Sequence, residues 1–372
     1  MHTLTVYNLG NADCCRIDLA NGQKLLFDYA SCRGKDDAGD LRADLEAELR
    51  RNLQAAKRAS YDVVAFTHAD KDHIVGASDF FYLEHAKKYQ GDGRIKIDDM
   101  WVPDALVIEE KLDGDAAILR AEARYRLIEG RGIHVFSRSD RLEEWFKERD
   151  IAHNDWADLI VDAGTCVPTF TLAKNGVEFF AHSPFANYSD GGYVERNERS
   201  LVVQATFDVG AGYPNIRVIL AGDAPHEVLS EIVTKTKGHR NQHRLEWDVF
   251  KIPHHCSYLS LSAEKGKDIT VPDPEIRWLY EQGADGGIII SSSKPIPTTD
   301  QDPQPPHRQA ANYYRERAAN IPDGEFVVTM EHPKISHPEP LVITLGTNGA
   351  TVKKIAAAAS IAVTGRPAPR AG

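Results

Sequence analysis

Nowhere in the chain do eighteen or more apolar residues run together, so no segment is long enough to cross a membrane as a helix. The opening, Met1 to Val6, alternates at once and lacks a basic segment followed by an apolar one, which predicts no secretory leader. Cysteine is scarce. Five cysteines, an odd number without a CxxC pair, give no disulfide framework and no structural zinc knuckle. These absences together predict a cytoplasmic protein. Positive charge is also short, with 44 Lys and Arg against 55 Asp and Glu, a net charge of −11. That balance argues against tight non-specific binding to phosphate backbones, although bound metal ions add charge that a formal count omits. The exception is Lys235 to Arg244, a polar loop with four formal positive charges and two histidines. No internal repeat of fixed short period is present.

What the chain does have is a composition, 42% hydrophobic over 372 residues, that can bury a large core, and a concentration of ligand-type side chains. Asp62-Val63-Val64-Ala65-Phe66 reads as a buried strand and runs into Thr67-His68-Ala69-Asp70-Lys71-Asp72-His73. Side chains alternate in extended backbone, so His68, Asp70 and Asp72 share one side, and His73 leads into a helix-like run from Ile74 to Leu83. Imidazoles and carboxylates converging on one point suit Zn²⁺ or Mn²⁺, and without ions the adjacent carboxylates would repel. Two further apolar strands end alike: Arg217 to Leu220 before Ala221-Gly222-Asp223, and Asp248 to Ile252 before Pro253-His254-His255-Cys256. Three strands delivering ligands at their carboxyl ends predict one assembled site.

With these motifs, and with Asn11-Ala12-Asp13, Leu26-Phe27-Asp28 and Asn197-Glu198-Arg199-Ser200, the chain resembles the metallo-β-lactamase superfamily. Within it the likeness is to the nuclease-like domain of ComEC/Rec2-type competence proteins, over most of residues 2 to 350. The resemblance implies an α/β (α+β) chain folded as a four-layer αββα sandwich, two mixed β-sheets flanked by helices, spanning residues 1–356. It implies His68, Asp70 and Asn197 on one metal, Asp72, His73 and one of His254 and His255 on a second, and Asp223 bridging them. His255 is preferred as the ligand and His254 for a phosphate oxygen, though the two could be exchanged. Asp28 would lie behind the metals and Asp13 beside the pocket. Arg199, Lys251 and His307, the last following the Pro-rich segment 295–306, are expected to face substrate. Asparagine at 197 and aspartate at 70, where histidine is commoner in the superfamily, make the first position richer in oxygen and favour Mn²⁺ over Zn²⁺.

In chain order, the opening reads as a β-meander with a hairpin at Asn21-Gly22, and a second hairpin is expected at Asn175-Gly176. Helical spacing covers 41–59 and 74–90. Residues 104–165, largely helical, read as an insertion over or beside the site, with Trp145, Phe146 and Trp156 as its small core. Strands near 325–331, 341–345 and 350–354 are expected to close the second sheet, and a tail of small residues begins at 357. The chemistry this predicts is phosphodiester hydrolysis, with Asp72, Asp223 and His254 in catalytic roles. Two divalent ions about 3.5–4 Å apart would bring a shared water's pKa towards neutrality and clamp the oxygens of a displacement at phosphorus. The expected substrate is DNA, single-stranded. The alternatives are a small phosphodiester or other ester, or a metal-poor sensor or scaffold.

Overall fold

Apolar runs that bury alternate residues in two different cores build the sandwich. In the computed structural model, which describes residues 1–34, 37, 39–152, 156–186 and 196–353, one nine-stranded sheet contains β1 (His2–Val6), β2 (Cys15–Asp18), β3 (Lys24–Phe27), β4 (Ser60–Ala65), β5 (Lys96–Pro103), β6 (Ile133–Phe136) and β7 (Ile160–Val161). A six-stranded sheet contains β8 (Val177–Ser183), β9 (Val202–Phe207), β10 (Ile216–Leu220), β11 (Trp247–Lys251), β12 (Gly283–Ser291) and β13 (Glu325–Val328). A two-stranded ribbon, β14 (Pro333–Lys334) and β15 (His337–Pro338), precedes β16 (Leu341–Gly346) and β17 (Gly349–Val352). Val63, Ala65, Trp101, Val218, Leu220, Val249 and Ile290 meet in the core between the two sheets. Their neighbours Val64, Phe66, Met100 and Val102 point outward under the helices Leu45–Ala55, Gly114–Ile128 and Asp140–Lys147. Ile219, Phe250 and Ile289 point the other way, under the helices His226–Gly238, Pro274–Tyr280 and Arg308–Ala319. Strands buried on both faces need near-continuous hydrophobic sequence, which is how these read. The result is helix, sheet, sheet, helix.

β3 to β7 run parallel in the first sheet and β10 to β13 in the second, so each set ends along one edge. Loops that leave carboxyl ends of parallel strands gather on that edge, where α/β sheets place ligands.

Several local expectations need correction. The last two strands do not close the second sheet: β16 pairs antiparallel with β1 in the first, Leu4 opposite Ile343, and β17 follows it. Residues 74–90 hold only a short helix, Ala77–Phe80, and one 3₁₀ turn, because Gly76 at φ +83° breaks the run. The Asp115 carboxylate takes the N–H groups of Gly76 and Ser78 there. Asn175-Gly176 ends a helical turn that Thr171 caps, with Gly176 at φ +71°, and makes no hairpin. Asn21-Gly22 does join β2 to β3, through a loop closed between Leu19 and Gln23. Segment 104–161 adds β6 and β7 to the first sheet and the helices Asp104–Ile108, Gly114–Ile128 and Asp140–Lys147 to its outer layer, and Trp145, Phe146 and Trp156 are buried there with the last two rings stacked at 4.3 Å. The tail expected from 357 lies outside the described residues.

Candidate metal centre

At the carboxyl edge, Asp28, just past β3 at φ +60°, organises the first histidine block. One of its oxygens accepts the Thr67 N–H at 2.7 Å; the other accepts the Thr67 hydroxyl at 2.7 Å and sits 2.8 Å from His73 Nδ1. A nitrogen so close to a carboxylate carries the proton, so in neutral His73 the lone pair is on Nε2. His68 follows the same logic. Its Nδ1 lies 3.1 Å from Thr67 Oγ1, whose hydrogen is spent on Asp28, which leaves Nδ1 to donate and Nε2 bare. His255 Nδ1 donates to the Ser292 carbonyl at 2.7 Å, and its Nε2 turns inward as well.

All three Nε2 atoms point at carboxylates. His73 Nε2 is 3.2 Å from Asp223 Oδ1 and 3.7 Å from Asp13 Oδ2. His68 Nε2 is 3.8 Å from Asp223 Oδ2 and 3.9 Å from Asp70. His255 Nε2 is 3.1 Å from Asp72 Oδ2 and 3.8 Å from Asp223. Lone pairs facing anions repel unless a cation stands between them. Protons partly serve in the metal-free molecule: burial opposes charge on His73 and His255, yet Asp223 and its neighbours hold both pKa values above the ordinary imidazole range. Burial with the His73 charge lowers His68. Burial would lift Asp223, but His73 and His255 hold it well below the carboxylate range. Asp72, against its own burial, is held down to about 2 by the His255 hydrogen bond and the His73 charge.

Asp223 reaches this position because Gly222 precedes it. Gly222 has φ +50°, and a Cβ there would lie 3.1 Å from Ser200 and 3.3 Å from Thr67, so the β10 loop could not close on the β4 loop with a larger residue. Asp223 then accepts the His254 N–H at 3.1 Å. The carboxylate thus touches segments from β4, β10 and β11 at once.

Four buried residues, Asp13, His73, Asp223 and His255, bring one ligand atom each within 4.8 Å of all the others. His68 Nε2, Asp13 Oδ1, Asn197 Oδ1 and His254 Nδ1 are buried without a hydrogen-bond partner among the described residues. Buried polar atoms are ordinarily satisfied, and a nitrogen-and-oxygen donor set left open in one place fits a divalent ion. The chain therefore has a possible metal site of borderline-hard character. His68, Asp70, Asp72, His73, Asp223 and His255 come together as the sequence spacing predicts; Asn197 sits half-buried in the turn Arg196–Arg199, with its amide oxygen open. His255 is in the tight group, and the half-buried His254 ring stands 6.4 Å from it.

Asp13 is closer than its expected place beside the pocket. Its N–H donates to the Asp72 carbonyl and its Oδ2 accepts from Lys251 Nζ at 2.6 Å. Burial opposes charge on both, and the pairing wins: Asp13 is held below, and Lys251 above, their ordinary ranges. Alternation along β11 could have shown this, since Lys251 alternates with Phe250 and so turns to the inner face, where only a carboxylate makes an ammonium tolerable. The three residues expected to face substrate are all engaged inside the protein. Lys251 holds Asp13. Arg199 is buried against Asp104 and the Phe185 carbonyl. His307 clamps a loop, accepting the Tyr258 N–H on Nδ1 at 3.3 Å and donating from Nε2 to the Pro303 carbonyl at 3.1 Å.

No helix among the described residues is long and apolar enough to cross a membrane. No family model matches the chain, and no curated protein matches it. Among solved structures, unliganded yeast PDE1 aligns over 88% of this chain and 98% of its own, at 13% identity and a TM-score of 0.42. A new diphosphatase from the PhnP family aligns over 93% and 99%, at 10% and 0.36. Zn²⁺-bound PqqB from Methylobacterium extorquens aligns over 93% and 100%, at 9% and 0.36. Superpositions this loose leave the fold assignment to the sheet order and the three cores described above.

Proposed function

We propose that this protein is a metal-dependent hydrolase of phosphodiesters, with single-stranded DNA as its polymer substrate. One observation carries the reading: the Nε2 atoms of three imidazoles and the Asp223 carboxylate converge from three separate strands, and the Nε2 atoms of His68 and His73 are buried without a hydrogen-bond partner among the described residues. Two ions suit the charge. Asp13, Asp28, Asp70, Asp72 and Asp223 with Lys251 carry four net negative formal charges, which two divalent ions neutralise. Bound there, such ions would supply an acidified water and positive charge for the phosphoryl oxygens.

The chain's own groups do the rest. His68, His73 and His255 offer Nε2 because Thr67, Asp28 and the Ser292 carbonyl fix their Nδ1 protons. Asp223, anchored by the His254 N–H, lies among all three rings. Lys251 fixes Asp13 through Oδ2, the oxygen that lies 3.7 Å from His73 Nε2. His254, half-buried with Nδ1 unpaired, can hydrogen-bond a phosphate oxygen or the departing one. DNA as substrate is supported by the competence-type motifs and by Lys235, Lys237, His239 and Arg240 at the end of the helix His226–Gly238.

The test is incubation with labelled single- and double-stranded DNA plus Mn²⁺, with Asp72→Ala as control. Manganese-dependent cleavage lost in the variant is expected; wild-type protein as inert as the variant would rule the nuclease out. The net charge of −11 favours a second reading, a small phosphodiester or other ester, which a panel of chromogenic esters separates from the first. Elemental analysis giving no ion per chain would leave the sensor or scaffold reading.

A further inference from the structure

A second concavity opens on the same edge as the metal centre. β6 runs into Ser137 and Arg138, β7 into Asp162 to Gly164, and with the end of β8 and the helix His226–Gly238 they enclose about 540 Å³. That volume lies within the range of small-molecule sites. Its lining divides by chemistry. Phe180, Phe185 and Ile232 supply apolar walls, while Arg138, Lys235, His239 and Asn241 supply nitrogen donors. The Lys235 ammonium lies 4.9 Å from the Phe185 ring centroid, so a cation and an aromatic face are offered together. Arg138 reaches Asp162 with one nitrogen at 3.5 Å, yet its Nε is buried with no partner among the described residues. A buried guanidinium N–H left unpaired is costly, and a ligand oxygen in the cavity would satisfy it.

The cavity is mechanically tied to the metal centre. Arg199, two residues beyond Asn197, donates to the Phe185 carbonyl and to the Ser137 hydroxyl, and both residues line the cavity. β4, β5, β6 and β7 are successive neighbours ending along this edge. Three inter-strand spacings of about 4.8 Å put the end of β7 roughly 14 Å from that of β4. A single strand laid along the edge would span both.

We propose that this cavity binds one nucleotide of the substrate strand, its base against Phe180 and Phe185 and its phosphate on Arg138 and Lys235, and so fixes where the metal centre cuts. The proposal rests on the phosphodiesterase reading and deepens it. A base stacks on an aromatic face whatever its identity, so the site would position the strand without reading its sequence.

The test is calorimetric titration of the full-length protein with thymidine 5′-monophosphate and, separately, with inorganic phosphate. The nucleotide is expected to bind more tightly than phosphate. The double substitution Arg138→Gln, Lys235→Gln should weaken it by about tenfold or more, the loss of charge-assisted hydrogen bonds, and should weaken phosphate binding with it while metal content stays unchanged. Equal binding of nucleotide and phosphate by the wild type, or equal nucleotide binding by variant and wild type, overturns the site. Should the variant fail to fold, acetylation of Lys235 in the wild type decides: protection by the nucleotide supports the site, and an unchanged rate overturns it. DNA cleavage is scored independently. Nucleotide binding without cleavage sinks the nuclease and leaves a nucleotide site, whereas cleavage without nucleotide binding sinks the cavity alone.

Discussion

Two of the places where charge is buried in this molecule are handled in opposite ways. On the outer face of the first sheet, Glu122 and Arg126 are almost fully enclosed, and every direction of that pair is closed by protein. Arg126 donates to Glu122 at 2.7 Å and to the carbonyls of Gly132 and Ile97; Glu122 also takes the His85 N–H at 2.9 Å. Burial pushes Glu122 up, and the Arg126 hydrogen bond more than restores it. At the metal centre the count of anions is higher, the donors are fewer, and several buried atoms have no partner among the described residues. A closed pair fixes a turn of chain. An open cluster holds a place for something the chain does not itself supply, and that difference points to function better than burial alone.

The comparison can be broken most directly at Asp223. Asp223→Ala should remove bound metal, measured by elemental analysis of the purified protein, and take cleavage below detection; full metal retention would make the cluster an ordinary polar core. The converse belongs to Arg126. Arg126→Ala strands Glu122 without its cation, so chemical denaturation should show a loss of roughly 3–5 kcal/mol, while metal content in the folded fraction stays as in the wild type.

A buried imidazole outside the metal centre sharpens the contrast. His182 is buried, lines the nucleotide cavity and faces the Arg244 carbonyl at 2.9 Å, so it is a neutral donor that protein already satisfies. Burial lowers its pKa to about 4. In acid the unfolded chain takes up a proton near the ordinary value of about 6.5 that the folded chain refuses until about 4. Stability should therefore fall as pH drops through that window, by at most about 3 kcal/mol from this group, and His182→Gln should flatten the profile. An unchanged profile would place the acid sensitivity elsewhere. The smallest effect is expected at Asp28, which touches the centre only through His73 and Thr67. Asp28→Asn should cost about 10–100-fold in metal affinity, in line with the partners of metal-bound histidines elsewhere, measured by competition with a chromophoric chelator.

Much of this was legible in the sequence because it is local. The apolar runs around Val63, Ile219 and Phe250 identify central strands, and the residues that follow them meet because parallel strands end on one edge. The proximity of Asp13 to His73 was less legible, since it depends on how the meander is registered against β4. The destination of 341–352 was not legible at all: those residues alternate like any strand, and only tertiary pairing chooses β1 as their neighbour. Residues 74–90 carry helical spacing that a single glycine overrides. Arg199 and His307 have the chemistry of substrate contacts, and their partners, Asp104 and the Pro303 carbonyl, come from loops whose paths no local pattern encodes.

The pairing of His2 with Leu345 has a further consequence. β1 waits for residues 341–345 before its outer edge is covered, and contacts so distant along the chain slow folding. Until then the nascent protein carries an exposed strand edge, which is where self-association during synthesis would begin.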